Sequence, residues 1–213
     1  LLDVSHELRS PITRMKIALK MMPGDSLRKN LEEDLLMLES MVTEILETSR
    51  LESQNGRLNF HQLDVVKMVK NVLGHYSARK HEIVLKESPK SLELKADPEQ
   101  LRIVLENLLN NARRFSDDAS NPTEVSIVRG EDQAVLSVRN FGVGIATEEQ
   151  NMIFEPFYQI DKSRFRDSNY YGLGLNLCRT IIEAHDGNLR VESEEGSGST
   201  FFLEIPMNLQ SKD

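Results

Sequence analysis

The residues of this chain best suited to chemistry fall in six clusters. The first is Ser5-His6-Glu7-Leu8-Arg9-Ser10-Pro11. A neutral imidazole is a nucleophile near pH 7. The carboxylate of Glu7 can hold its Nδ1–H and leave Nε2 free to attack, and Pro11 can kink a helix by removing a backbone donor. A single helical His beside a Glu also fits an ordinary exposed polar residue. The second cluster runs from Glu106 to Phe115. Asn107, Asn111 and Arg114 are spaced by four and three, so they share one helix face. Leu105, Leu108, Leu109 and Ala112 are left to face a core. Amide oxygens beside an Arg suit a metal-bound phosphate. A solvent face would not need three poor helix formers (Asn107, Asn110, Asn111) so close together.

The other four clusters are weaker singly. Gly142 and Gly144, in Asn140-Phe141-Gly142-Val143-Gly144-Ile145, allow close backbone approach to a ligand, and a plain turn explains them equally. Ile153-Phe154-Glu155-Pro156-Phe157-Tyr158 is an aromatic cluster that core packing would also use. Tyr171-Gly172-Leu173-Gly174-Leu175 leads into a helix, where glycines at the N-terminus form an anion site or merely a Gly-rich start. Gly196-Ser197-Gly198-Ser199-Thr200 fits a tight hairpin. His61, His75, His81 and His185 show no metal-ligand spacing.

These clusters need elements to hold them. Leu1, Leu8, Ile12, Met15, Leu19 and Met22 recur at helical intervals until Pro23-Gly24-Asp25 breaks the pattern. Ser26 is placed to cap a second helix, in which Leu31, Leu35, Leu38, Val42 and Ile45 form a heptad stripe. Leu27, Leu36, Met41 and Leu46 widen its apolar face. Two short helices cannot bury such faces on each other alone, and a four-helix bundle from two chains would. After Ser53-Gln54-Asn55-Gly56, alternation at Leu58, Phe60 and Leu63 predicts a strand, and a helix follows from Asp64 with Val65, Val69, Val72, Leu73 and Tyr76 on its apolar side. Strands are expected at 81–86 and 92–95. Asp97-Pro98-Glu99-Gln100 then opens a helix to Phe115, with Asp as cap and Pro at the first position. Strands at 124–128 and 134–139, a helix at 172–184, and strands at 188–193 and 200–205 complete a sheet with helices on one face.

Composition narrows the function. The 213 residues carry a net charge of −8, spread without a like-charge tail, which disfavours nucleic acid and anionic lipid as partners. The single cysteine, Cys178, sits among apolar helical residues and reads as an inert buried thiol in a reducing compartment. No apolar run approaches the roughly 18 residues of a membrane helix, and no signal peptide is visible. The chain starts without Met and already in a helical pattern, as expected of a fragment.

In order and spacing, the six clusters resemble the histidine kinases of two-component systems over nearly the whole chain. His6 matches the phosphoacceptor box, Asn107 to Phe115 the asparagine box, and Phe154 to Tyr158 the phenylalanine box. Asn140 to Ile145, Tyr171 to Leu175 and Gly196 to Thr200 resemble the three glycine boxes. The resemblance implies an α+β chain. Residues 1–54 would be a dimerisation and phosphotransfer helical hairpin, a four-helix bundle in the homodimer. Residues 57–207 would be an α/β-sandwich ATP-binding domain of the Bergerat type. It further implies ATP and Mg²⁺ as cofactors, phosphorylation of His6 with Glu7 as general base, and relay to an aspartate of a response regulator receiver domain. By the same resemblance, Asn111 would bind Mg²⁺ with support from Asn107, and Arg114 would face the phosphates. The remaining nucleotide contacts would fall to Phe115, Asn140, Gly142, Gly144, Ile145, Phe157, Gly172, Leu173, Gly174, Leu175 and Thr200. The chain would be the cytoplasmic portion of a protein anchored in the inner (plasma) membrane through parts absent from this sequence.

Three positions depart from the family pattern. Asn140 stands where the family usually has the Asp that reads adenine. Ser168-Asn169-Tyr170-Tyr171 replaces a glycine-rich lid before Gly172. Ser10 stands where Thr or Asn is usual, a position linked to phosphatase activity. ATPases of the same nucleotide fold, of the gyrase, mismatch-repair or chaperone type, lack the Ser-His-Glu-Leu-Arg-Ser-Pro helix. A degenerate scaffold that dimerises without turning over ATP is the reading from a different class.

Overall fold

The computed structural model describes residues 12–19, 25–52, 58–76, 82–116, 121–160 and 172–207. His6, Glu7, Ser10, the break at Pro23-Gly24, Tyr170 and Tyr171 lie outside the described residues. Helix α1 covers residues 12–19, and α2 runs over Asp25–Glu52, starting one residue ahead of the expected cap. The two pack through buried Ile12, Leu19 and Leu35, with Leu31 and Val42 against them, and Lys16 pairs with Glu39 across the contact. The heptad stripe is thus only partly covered. Leu38 and Ile45, with Leu36, Met15 and Ile17, stay exposed. At its far end α2 lies along the last helix, Gly174–Ala184, and Leu51 packs on the main core.

Strand β1 (His61–Asp64) pairs antiparallel with β3 (Glu93–Ala96) in a two-stranded ribbon. The sequence had suggested one sheet. These two strands pair with each other outside it, and each feeds directly into a capped helix. Asp64 caps α3 (Val65–Gly74), and its Oδ1 accepts from Val66 N–H at 3.1 Å and Lys67 N–H at 3.4 Å. Burial alone would push the Asp64 carboxyl up, but hydrogen bonds from Leu92, Lys67 and Val66 N–H and from the Ser91 hydroxyl outweigh it and hold it below the ordinary value. Asp97 caps α4 (Pro98–Phe115) in the same way, as the Asp-Pro-Glu-Gln signal predicts.

The main sheet has five strands in the order β2 (Ile83–Glu87), β4 (Thr123–Arg129), β5 (Gln133–Asn140), β7 (Gly198–Pro206), β6 (Asn188–Glu194). All neighbours are antiparallel except β2 and β4. Alternation sends Val125, Ile127, Leu136, Val138, Leu203 and Ile205 to one face. There they meet Leu105, Leu108 and Leu109 of α4 and Ile181 and Ile182 of α5 (Gly174–Ala184), all fully buried. Truncating one such Leu to Ala costs about 2–5 kcal/mol.

At the far end of this layer His185 is completely buried. Its Nε2 accepts from Asp97 N–H at 3.0 Å, and its Nδ1–H donates to Ile181 O at 2.7 Å. Phe60 meets the ring edge-on at 5.4 Å. The imidazole thus pins the end of α5 to the start of α4. The opposite ends of both helices are left to converge on another part of the sheet.

Candidate functional site

That convergence encloses a cavity of about 270 Å³. Its walls are the last turns of α4, the end of β5, the 143–145 loop, residues 158–160, the first turn of α5 and the start of β7. On α4 the expected face divides. Asn111 and Arg114 line the cavity together with Phe115. Asn107, one turn back, does not. Its Nδ2 donates to Ile103 O at 3.0 Å, and its Oδ1 sits where a Cβ on Gly174 would come within 2.6 Å. Asn107 therefore meets the start of α5, and only glycine allows that approach.

Asn140 ends β5, is 5% exposed and lines the cavity. Its backbone pairs with Ser199 across to β7, and its amide has no side-chain hydrogen bond among the described residues. The chain then turns tightly. Gly142 bridges Ser116 through the backbone, and a Cβ there would stand 1.7 Å from Phe115 O. Gly144 has φ 71° and would place a Cβ 2.0 Å from Glu194 O. A side chain at either position would separate the loop from the strands that support it.

Ser193 holds this loop to the β6–β7 hairpin. One hydroxyl has one proton and two lone pairs. Ser193 Oγ donates to Gly198 O at 2.8 Å and accepts from Ile145 N–H at 2.8 Å. In its 2.7 Å contact with Ser199 Oγ, Ser199 must therefore be the donor. Ser199 turns only lone pairs to the cavity. Gln150 braces the same junction, its Nε2 donating to Ser193 O at 2.9 Å and Ile145 O at 3.2 Å. Tyr158, also in the lining, donates to Glu149 Oε1 at 3.0 Å. Burial, the bond and the charge of Glu149 all push its hydroxyl above the ordinary value, so it stays a protonated donor.

Several expected contacts sit elsewhere. Thr200 lies on the opposite face of β7, and Ser199 and Phe201 take the lining positions, because strand side chains alternate. Phe157 adopts φ 64° and is 55% exposed, leaving Tyr158 to line the cavity. The last helix begins at Gly174 rather than Gly172, since Gly172 has φ 71° and its carbonyl accepts from Phe157 N–H at 3.0 Å. Leu173 is buried at the cap, and Leu175 is the residue of that cluster in the lining. Gly142, Gly172, Leu173 and Gly174 shape the surrounding loops without lining the cavity.

Residues 96–209 match the family model described as histidine kinase-, DNA gyrase B- and HSP90-like ATPase. The chain belongs to this ATPase family. The chain is similar to sensor histidine kinase WalK of Bacillus subtilis (strain 168), 26% identical over 99% of this chain and 37% of WalK. The structure of full-length ShkA in complex with AMPPNP superposes with a TM-score of 0.83 at 25% identity, covering 98% of this chain and 46% of that one. The Acinetobacter baumannii histidine kinase AdeS gives a TM-score of 0.71 at 28% identity over 96% and 98% of the two chains. Within the family its similarity is to sensor histidine kinases, and the chain spans well under two thirds of curated relatives such as WalK.

Proposed function

We propose that the chain is the catalytic part of an ATP-dependent protein histidine kinase. It phosphorylates His6 and passes the phosphoryl group to an aspartate of a response regulator receiver domain. The observation that carries this reading is the cavity lining. Asn111 and Asn140 are buried there without a side-chain hydrogen bond among the described residues, as expected where a ligand completes them.

A purine nucleotide with its metal fits this lining. Ile145, Ile153, Leu175 and Phe201 offer apolar walls to a base. Asn140 can accept a hydrogen bond from an exocyclic amino group, and Asn111 offers the amide oxygen that a hard cation prefers. MgATP, when bound, supplies the transferable γ-phosphoryl group and neutralises the charge that develops on it. Arg114 faces the phosphates as a fixed cation. Asn107 holds the start of α5 beside Asn111. Glu7 keeps the His6 Nδ1–H engaged so that Nε2 attacks, and Ser10, one turn on, orients a water for dephosphorylation of the regulator.

Two separate hydrophobic clusters support a division at 1–54 and 57–207, although Leu51 packs on the larger one. Exposed Leu38 and Ile45 support a homodimer through α1 and α2. No described helix is long and apolar enough to cross a membrane. Incubation with labelled ATP and Mg²⁺ tests the reading. The expected label is acid-labile, base-stable and absent from His6→Ala. It forms slowly in Glu7→Gln with nucleotide affinity unchanged. Label persisting in His6→Ala refutes the acceptor assignment.

A further inference from the structure

We infer that His185 is a positioning residue for phosphoryl transfer to His6: it fixes the point where the chain passes from the helical arm of α1 and α2 into the layer that carries the cavity. The inference rests on the phosphotransfer reading above. Both sides of that passage are held on the same layer. Leu51 of α2 packs on the main core, and α2 lies along α5. Beyond it, the Asn59 N–H donates to Asp97 Oδ2 at 2.8 Å, and the Phe60 ring stands edge-on to His185. Asp97 joins this entry point to α4. Its Oδ1 accepts from Glu99 N–H at 3.1 Å and from Gln100 N–H at 3.2 Å, so one carboxylate caps the helix and holds the incoming chain. The backbone of Asp97 is in turn held by His185.

That hold needs an imidazole. His185 is completely buried, so bulk water cannot replace a lost partner. Two backbone groups meet the ring: the Asp97 N–H, which can only donate, at 3.0 Å, and Ile181 O, which can only accept, at 2.7 Å. The neutral ring with its proton on Nδ1 serves both at once. Without it the Asp97 N–H is left unpaired in the interior, and the residue that grips Asn59 loses its own anchor. The consequence falls on the arm rather than on the nucleotide. The cavity takes the last turns of α4 and the first turn of α5, and none of Asn59, Phe60, Asp97 and His185 lines it. Asn111 stands about 21 Å along α4 from Asp97 at 1.5 Å per residue. The cavity end of α5 has its own fixings, Asn107 against Gly174 and Asn176 Nδ2 donating to Phe154 O at 3.2 Å. A loosened junction therefore lowers the effective concentration of His6 at the γ-phosphoryl group and leaves the nucleotide in place.

Two amide variants separate the two hydrogen bonds of the ring. His185→Gln keeps an acceptor that reaches the Asp97 N–H. His185→Asn keeps a donor near Ile181 O and falls short of Asp97. The rate of His6 labelling at saturating MgATP and the MgADP dissociation constant are measured on the whole chain, at a temperature where each variant is folded. His185→Asn should slow labelling by at least about threefold and keep the dissociation constant within about twofold of wild type, the split expected of lost positioning. His185→Gln should recover most of the rate. Asn59→Pro, at an exposed residue, removes the N–H that Asp97 Oδ2 accepts. It should show the same split as His185→Asn, and it carries the test if His185→Asn does not fold. Three results overturn the inference and leave the kinase reading standing: a folded His185→Asn that keeps the wild-type rate or loses rate and affinity together, a His185→Gln as slow as His185→Asn, or an Asn59→Pro with the wild-type rate. If wild type binds MgADP and takes no label, the phosphotransfer reading itself fails and the inference falls with it.

Discussion

Ser193 is the test of whether the candidate site is pre-shaped by the protein. Its hydroxyl makes three hydrogen bonds, to Gly198 O, from Ile145 N–H and from Ser199 Oγ, at 2.8, 2.8 and 2.7 Å. Ser193→Ala removes all three at once and leaves one backbone donor and one backbone acceptor to find water. Half-burial of Ser193 allows partial rehydration. At about 0.5–1.5 kcal/mol per bond the net loss should be about 2 kcal/mol. For a chain of this size that lowers Tm by about 4–8 °C. The same deletion frees the 143–145 loop and lets the Ser199 hydroxyl rotate, so MgADP affinity should fall by roughly threefold to tenfold when measured at a temperature where the variant is fully folded. Ser193→Thr keeps the hydroxyl and should recover most of both losses. A lowered Tm with unchanged MgADP affinity would make Ser193 a fold residue only. An unchanged Tm would mean that the hydrogen-bond junction contributes nothing.

Burial holds the His185 imidazole below its ordinary value against the pull of the Ile181 carbonyl and the charges of Asp97 and Asp186, so it stays neutral in the fold. As pH falls below about 6.5 the unfolded chain takes up a proton that the folded chain refuses, and stability should drop by up to about 1.4 kcal/mol per pH unit until the folded imidazole titrates. Denaturant melts from pH 7 to 5 should show this slope in wild type and a shallower one in His185→Gln, and equal slopes would remove His185 as the cause. Leu38→Glu with Ile45→Glu, at exposed positions of α2, should convert a dimer to a monomer by light scattering at micromolar concentration, while MgADP affinity holds. A wild-type monomer under those conditions would count against the bundle.

What could be read from the sequence was what neighbours within a few residues decide. Asp97-Pro98-Glu99-Gln100 specifies the start of α4, and the steps between Asn107, Asn111 and Arg114 specify their shared face, because both depend only on the helical repeat. The same locality made the switch from Ser199 to Thr200 legible in principle. Phe201, Leu203 and Ile205 already mark the inward parity of β7, and Ser199 shares it. Other features depended on pairings across long stretches of chain, where the partner is chosen by burial over the whole fold. The pairing of β1 with β3 outside the main sheet is one, and the parallel junction of β2 with β4 is another. Phe157 turned outward because the Gly172 carbonyl, fifteen residues on, accepts its N–H at a positive φ. Ser193 had no signal at all, being an ordinary strand serine until β7 and the 143–145 loop close on it from either side. The sequence determined which residues could do the chemistry. The tertiary structure decided which of them share one cavity, because a side chain's direction is set locally and its neighbours are set only when distant segments compete to bury the same apolar surface.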